Sequence, residues 1–244
     1  MPAKVLLFLV EGTSDIRALE YPLGMFFCDI NSSFELRFLK PVDNKGDITG
    51  NNLIEQSKIA KSIDKWWGVS NSLSRNGFEP SDVAEIIQII DIDGVYIANE
   101  SIKYGPFREK IEYCETEIKC ENPNRVIDRN LRKRHNISSL KKTVSLRIGS
   151  TNIPYSIYYF SCNLDHFLFG ERNLNHKLKC DNAETFAYSF DNSSEVYSFF
   201  ETSNEERTSV QFPYKKSWEY LKKESNSLSA CSNLILLLDK YKIK

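Results

Sequence analysis

The chain has 244 residues, 41% of them hydrophobic and 27% charged, with a formal net charge of -1. That is enough apolar material for an ordinary core, in one elaborated domain or two small ones. The near-zero charge excludes a chain coated all over for nucleic acid, and no apolar run approaches the roughly 18 residues needed to cross a bilayer. Pro2, Ala3 and Lys4 lead straight into an apolar run and Glu11 follows too soon for a signal peptide, so a cytoplasmic location is expected. Cys28, Cys114, Cys120, Cys162, Cys180 and Cys231 are scattered without a C-x₂-C pair, and no His pair stands at ligand spacing from Cys114 and Cys120. Free thiols are expected, and zinc is not.

Residues 5–10 form an unbroken apolar run closed by Glu11 and Gly12, the length of a strand buried on both faces. Thr13, Ser14 and Asp15 can each cap a following helix, with Ile16 and Leu19 at helical spacing. Pro22 is expected to break or restart that helix. Residues 34–39 alternate like a strand, and 41–50 read as a loop. Residues 51–67 read as a helix with Ile59, Ile63 and Trp66 on one face. Trp66 and Trp67 are either a base-stacking platform or core anchors. Ser81 and Asp82 cap a turn before a second apolar run, 86–95, which ends in Asp91, Asp93 and Gly94.

Residues 122–142 carry Arg125, Arg129, Arg132, Lys133, Arg134, Lys141 and Lys142 against one acid, Asp128. This local positive patch would attract phosphates and make binding salt-dependent. The alternative is a solvated helix face or a docking surface for an acidic protein. His135 sits within it. Residues 144–148 and 155–161 read as strands, the second leading into Cys162, Asn163, Leu164, Asp165 and His166. Asp165 is either a site carboxylate or a helix cap, and His166 either assists proton transfer or is packed. Beyond residue 173 the expectations are a short helix at 183–190, a polar surface stretch at 193–208, and one or two closing helices around Trp218, Leu221 and 228–241.

Chemistry concentrates where the apolar runs end. In open α/β sheets ligands bind outside the carboxyl ends of the strands. Glu11 stands at one such end. Asp91 and Asp93, two apart, point the same way if the chain there is extended, and Gly94 lets it turn. Three converging carboxylates repel one another unless a cation lies between them, and oxygen-only ligation suits Mg²⁺. Glu100 is a further candidate, or a solvated surface residue.

The apolar run with Glu11-Gly12, then Ser14-Asp15 opening a helix, then Asp91-x-Asp93, resembles a Toprim domain, the metal-binding fold of topoisomerases, DnaG-type primases and OLD-type nucleases. The resemblance covers about residues 4–168, with a long insertion between the motifs. It implies a Rossmannoid parallel sheet flanked by helices, with a helical insertion and a helical part from about 173, in one elaborated domain. It also implies Glu11 as general acid/base or metal ligand, and Asp91 and Asp93 as ligands of Mg²⁺ or Mn²⁺. Asp165 corresponds to the late acidic position of OLD-like members, departing from their Glu-Asn pair. The chain has no tyrosine nucleophile module, no zinc module and no G-x-x-x-x-G-K-[ST] motif, so a nuclease is the expected activity. The layout is similar to the Toprim effectors of PARIS- and AbiL-type anti-phage abortive-infection systems. That implies a toxic nuclease acting on RNA, tRNA in particular, an ABC-like AAA ATPase partner that restrains it, and room for a homodimer. Two rivals remain. Asp91-Ile92-Asp93-Gly94 also resembles the motif of haloacid-dehalogenase-type phosphatases, although Val95 stands where that family has Thr. A non-catalytic binding module on the same fold is the other.

Overall fold

The first apolar run forms β1 (Lys4–Leu9), and its alternate side chains go to opposite faces, the period-two rule of a strand. Val5, Leu7 and Leu9 enter one core layer, and Leu6, Phe8 and Val10 the other. Both faces of the sheet are therefore covered. This is a computed structural model, and it describes residues 4–42, 48–51, 53–106 and 110–242.

The first half of the chain runs α1 (Thr13–Ile30), β2 (Phe34–Leu39), α2 (Ile48–Asn51), α3 (Ile59–Trp67), α4 (Val69–Arg75) and β3 (Val83–Asp91). A small sheet follows, of β4 (Ile102–Tyr104), β5 (Ile111–Tyr113) and β6 (Ile118–Cys120). Next come α5 (Pro123–Leu140), β7 (Ser145–Ile148), β8 (Thr151–Phe160), α6 (Leu164–Phe169), α7 (His176–Ala187) and α8 (Ser193–Glu201). The chain closes with β9 (Thr208–Ser209), α9 (Tyr214–Tyr220), β10 (Cys231–Ser232) and α10 (Ile235–Lys242). The main sheet has the order β2-β1-β3-β8-β10-β9, with β7 paired to β8. β2, β1, β3 and β8 are mutually parallel, and β8 meets β7 and β10 antiparallel. This mostly parallel sheet between helices is a Rossmann-like α/β fold, as expected. None of the described helices is long and apolar enough to cross a membrane.

Several local expectations are overturned. Pro22 does not break α1, which runs through it to Ile30. The lost hydrogen bond and ring clash cost about 3 kcal/mol. Ala18, Leu19, Leu23, Phe26 and Phe27 are all buried on the same face, and each large side chain returns about 1.5–3 kcal/mol. The helix expected over 51–67 is present only from Ile59. Its buried face is Ile59, Ile63 and Trp67, with Trp66 merely packed against the core. Trp67 is a core anchor whose Nε1 donates to Val10 O at 3.0 Å. Part of the expected loop at 41–50 is α2, and residues 43–47 lie outside the described residues. The stretch 193–208 is not a polar surface turn. It contains α8, which buries Val196 and Phe200. The helix expected at 183–190 starts earlier, at His176. The closing segment is not purely helical either, because β9 and β10 extend the main sheet.

A buried carboxylate fastens the last helix. Glu85 of β3 is 2% exposed. It accepts from Lys240 Nζ at 2.6 and 2.7 Å, from Tyr241 OH at 2.6 Å and from Ser156 Oγ at 2.6 Å.

Candidate active site

The carboxyl ends of β1, β3 and β8 lie side by side, and each delivers an acid or opens a helix that does. Ahead of Glu11 the backbone is clamped: Val10 N–H donates to Leu39 O at 3.0 Å, and Trp67 holds Val10 O. Glu11 Oε1 then accepts the Asp91 N–H at 3.2 Å, joining two strand ends. At the start of α1 the N-cap is Gly12, not Thr13 or Ser14. Capping comes from the third helical residue: Asp15 Oδ2 accepts from the N–H groups of Glu11 and Gly12 at 3.0 and 2.9 Å.

Asp91 and Asp93 do not point the same way. The strand ends at Asp91, and the chain turns through Asp93 at φ 54° and Gly94 at φ 65°. A non-glycine residue in the left-handed region is strained, and such strain persists only where the surroundings hold it. Here Asp93 N–H donates to Cys162 O at 2.7 Å and Gly94 N–H to Ser227 O at 3.0 Å. Asp91 Oδ1 accepts the Leu164 N–H at 2.9 Å, at the first turn of α6. Asp93 faces the other way, accepting from Lys133 Nζ at 2.7 Å and from Tyr113 OH at 2.9 Å.

Asp165 is not a helix cap. Asn163 caps α6, its side chain accepting from His166 N at 2.9 Å. Asp165 is buried and ion-paired with Lys179 of α7. Glu100 is exposed and lies outside the cluster. Burial, with the nearby Arg172 charge, pushes the His166 imidazole down to about 4, so it is uncharged at neutral pH and is no poised base. His135 is exposed.

Five carboxylates thus gather here: Glu11, Asp15, Asp91, Asp93 and Asp165. Burial raises the Asp91 acid well above the usual carboxylate range, and the charges of Asp15, Asp93 and Asp165 raise it further. Burial also raises Asp15, with Asp165 adding to it. Burial would raise Asp93 too, but Lys133 and Arg129 overcome it and hold that acid below its ordinary value. Burial and the Asp93 charge push the Tyr113 phenol well up, which suits a hydrogen-bond donor and not a phenolate nucleophile.

The basic segment is not one uniform patch. Val126, Asn130, Lys133, Ile137 and Leu140 form a buried stripe down α5. Lys133 is fully buried and reaches Asp93 and Glu11 rather than solvent. Arg129 donates to Asp93 O and Tyr113 OH, each at 3.1 Å. Arg134 Nε turns back to Asn130 O at 3.3 Å, and Lys141 covers the Trp218 ring with its Nζ 5.0 Å from the centroid. Lys142 is exposed. The part of the segment whose cations line an open surface is therefore narrower than the sequence suggests. Arg125, Arg129 and Arg132, spaced four and three apart on one helix face, line a cavity of about 820 Å³ together with Lys110, Asn122 and Glu121. Arg129 lies on both the cavity and the acid cluster. The sequence reading set Lys133 in the phosphate-attracting patch; the structure buries it against the acids instead, as the apolar spacing of Val126, Ile137 and Leu140 on the same helix face could have shown. That reading missed Asp15 as a cluster acid, Tyr113, and Lys179.

The metal implied by the Toprim resemblance can be tested against this donor set. The chemistry suits Mg²⁺ or Mn²⁺, since all five groups are hard oxygen donors. The crowding of Asp91 by Asp15 and Asp165, with Lys179 as the cation paired there, leaves surplus negative charge that a divalent ion would relieve. Between Glu11 and Asp93 the fit fails as arranged, because the Lys133 ammonium stands there. Among the described residues, no group of three or more His, Cys, Asp or Glu side chains is in position to hold an ion. Compared with family models, curated proteins and solved structures, the chain matches none.

Proposed function

We propose that this chain is a Toprim-like, Mg²⁺- or Mn²⁺-dependent nuclease that hydrolyses phosphodiesters of nucleic acid, RNA such as tRNA in preference to DNA. The observation that carries the reading is the juxtaposition at one sheet edge of a carboxylate cluster and an arginine-lined cavity, with Arg129 belonging to both. Asp91, with Asp15 and Asp165 beside it, is the part of the cluster that would hold the ion. When bound, the ion supplies a water of lowered pKa and a Lewis acid for the phosphoryl oxygen. The chain itself does the rest. Arg125, Arg129, Arg132 and Lys110 pull the phosphate backbone into the cavity and fix its register. Arg125 and Arg132 are about 10 Å apart along α5 at 1.5 Å per residue, a span matching an extended strand better than a single nucleotide. Glu11, tied to the Asp91 N–H and 17% exposed at its side chain, takes the proton of the attacking water. Tyr113 and Arg129 hold Asp93 so that the turn after β3 keeps its shape.

The overall layout also supports the role of an anti-phage effector, toxic when released from an ABC-like AAA ATPase partner. The test is cleavage by purified protein. Wild type with Mg²⁺ or Mn²⁺ is expected to cut single-stranded RNA, more slowly DNA, and to stop in EDTA. Glu11→Gln, which keeps an acceptor for the Asp91 N–H, is expected to lose at least a hundredfold in rate. Activity on a phosphomonoester that needs Asp91 but survives Glu11→Gln would replace this reading with the phosphatase. Equal behaviour of wild type, Glu11→Gln and Asp91→Asn would leave a binding module.

A further inference from the structure

One edge of the main sheet is open. β2 ends the strand order and, among the described residues, pairs only with β1, in unbroken register from Lys4↔Phe34 to Leu9↔Leu39. Lys4 N–H donates to Ser33 O at 2.9 Å and Val10 N–H to Leu39 O at 3.0 Å. Backbone groups alternate sides along a strand, so Glu35 and Arg37 also turn theirs toward β1, while Phe34, Leu36 and Phe38 turn theirs outward. Such an outward row is a template for another strand. Proteins commonly blunt it with a proline or a bulge. β2 has neither, and all of its residues are only half-buried.

The side chains indicate what pairs there. Phe34-Glu35-Leu36-Arg37-Phe38 is symmetric in size and opposite in charge about Leu36. A second copy laid antiparallel, with the two Leu36 residues opposite each other, sets Phe34 against the partner's Phe38 on one face and Glu35 against the partner's Arg37 on the other. Phe34 N–H is already given to Asn31 O at 2.9 Å. Leu36 N–H would therefore donate to the partner's Leu36 O, and Phe38 N–H to the partner's Phe34 O, from each chain in turn. Sliding the copy by two residues sets Glu35 against Glu35 or Arg37 against Arg37, so charge fixes the register. Both charges are accessible: Arg37 and Glu35 pair with each other in the single chain, with side chains 42% and 34% exposed. The Arg37 guanidinium also lies 5.6 Å from the centre of the Phe78 ring, which keeps it at the sheet edge.

We infer that β2 is a self-association edge: two copies join through antiparallel β2 strands into one continuous sheet, with Leu36 on the two-fold axis. This does not rest on the nuclease reading. Because β1 lies next to β2, antiparallel joining sends the two Glu11 ends to opposite rims of the joined sheet.

The test is sedimentation of the full chain over a range of concentrations. Wild type is expected to pass from monomer to dimer in the micromolar range. Glu35→Arg and Arg37→Glu each bring like charges together twice, and each is expected to raise the dissociation constant about tenfold or more. Mixed together, the two variants restore opposite charge at every pair, so the mixture is expected to dimerise like wild type where neither variant does alone. A wild type that stays monomeric at about 100 µM would overturn the inference. So would a dimer that both reversals leave intact, or folded variants that associate no better mixed than apart. Hydrogen exchange needs no variant: the Leu36 and Phe38 amides are expected to gain protection as wild type dimerises. A dimer in which they exchange at the monomer rate would overturn the inference too.

Discussion

Asp91 and Asp93 are two residues apart, yet the fold shifts their acids in opposite directions, and stability should register both. Asp91 is raised by burial and by like charges. Its ionised form is penalised in the folded state, so wild type loses stability as pH rises from the unfolded value of about 3.9 through the raised folded value. Asp91→Asn removes that loss while keeping an acceptor for Leu164 N–H. It is expected to raise Tm at pH 7–8, by about 2–4 °C for each ~1 kcal/mol relieved, and the gain should vanish near pH 4. Asp93 is lowered by Lys133 and Arg129 against its burial, so its charge stabilises the fold at neutral pH and that contribution fades as pH falls through the lowered value. Asp93→Asn is expected to lower Tm at pH 7, with the deficit shrinking in acid. Thermal melts of both variants across pH check this, and shifts of equal sign would contradict the site electrostatics. The presence of acids at these positions was legible in the sequence. Their divergence was not, because it depends on Asp93 leaving extended backbone, which the period-two argument assumes it does not.

At the scale of elements, what could be read from the chain was what local pattern dictates. The apolar runs within β1 and β3 pointed to a sheet covered on both faces, whereas the caps supplied by Asn163 and Asn122 were not read. Misreadings arose where tertiary burial outweighed a local signal. Pro22 is carried by the buried face of α1, and α8 hides two apolar residues within a polar stretch. Gly94 shows the same dependence on context. At φ 65°, an added Cβ would lie 2.5 Å from Leu228 Cδ2 and 3.0 Å from Ile118 Cδ1, both of them core atoms. Gly94→Ala is expected to cost about 2–3 kcal/mol in urea unfolding, combining left-handed strain with overpacking. The fastening of α10 is equally non-local. Glu85→Ala removes the shared acceptor of Lys240, Tyr241 and Ser156 and is expected to cost about 2–4 kcal/mol, with Lys240 half-rescued by water. Limited proteolysis should then clip the segment after β10 first.

For the whole molecule, a near-neutral chain places Lys110, Arg125, Arg129 and Arg132 around one cavity beside its carboxylate cluster. Under the proposed function such a layout would attract nucleic acid locally and not globally. Arg125→Ala with Arg132→Ala is expected to weaken binding of an RNA oligonucleotide to a Glu11→Gln background about tenfold or more. It should also flatten the salt dependence by roughly one ion per lost phosphate contact, with only the small Tm loss of the missing Arg132 Nε–Gly50 O bond at 3.1 Å. Fluorescence anisotropy across salt concentrations measures it. Lys142→Ala, outside the cavity, should do little. Of these cations only Lys133 could be set apart by the apolar period of α5; which of the others line the cavity depends on tertiary packing that no local pattern carries.

Cleavage of nucleic acid by the proposed carboxylate site is measured first in cells, where a partner and substrate are both available. Wild type, Glu11→Gln and Asp91→Asn would be induced to equal levels and followed by growth and by sequencing of RNA and DNA ends. Growth arrest and discrete new RNA ends are expected with wild type alone, the break sites naming the substrate. Equal growth and identical ends for all three, with the neighbouring gene products present and phage added, would rule out the nuclease.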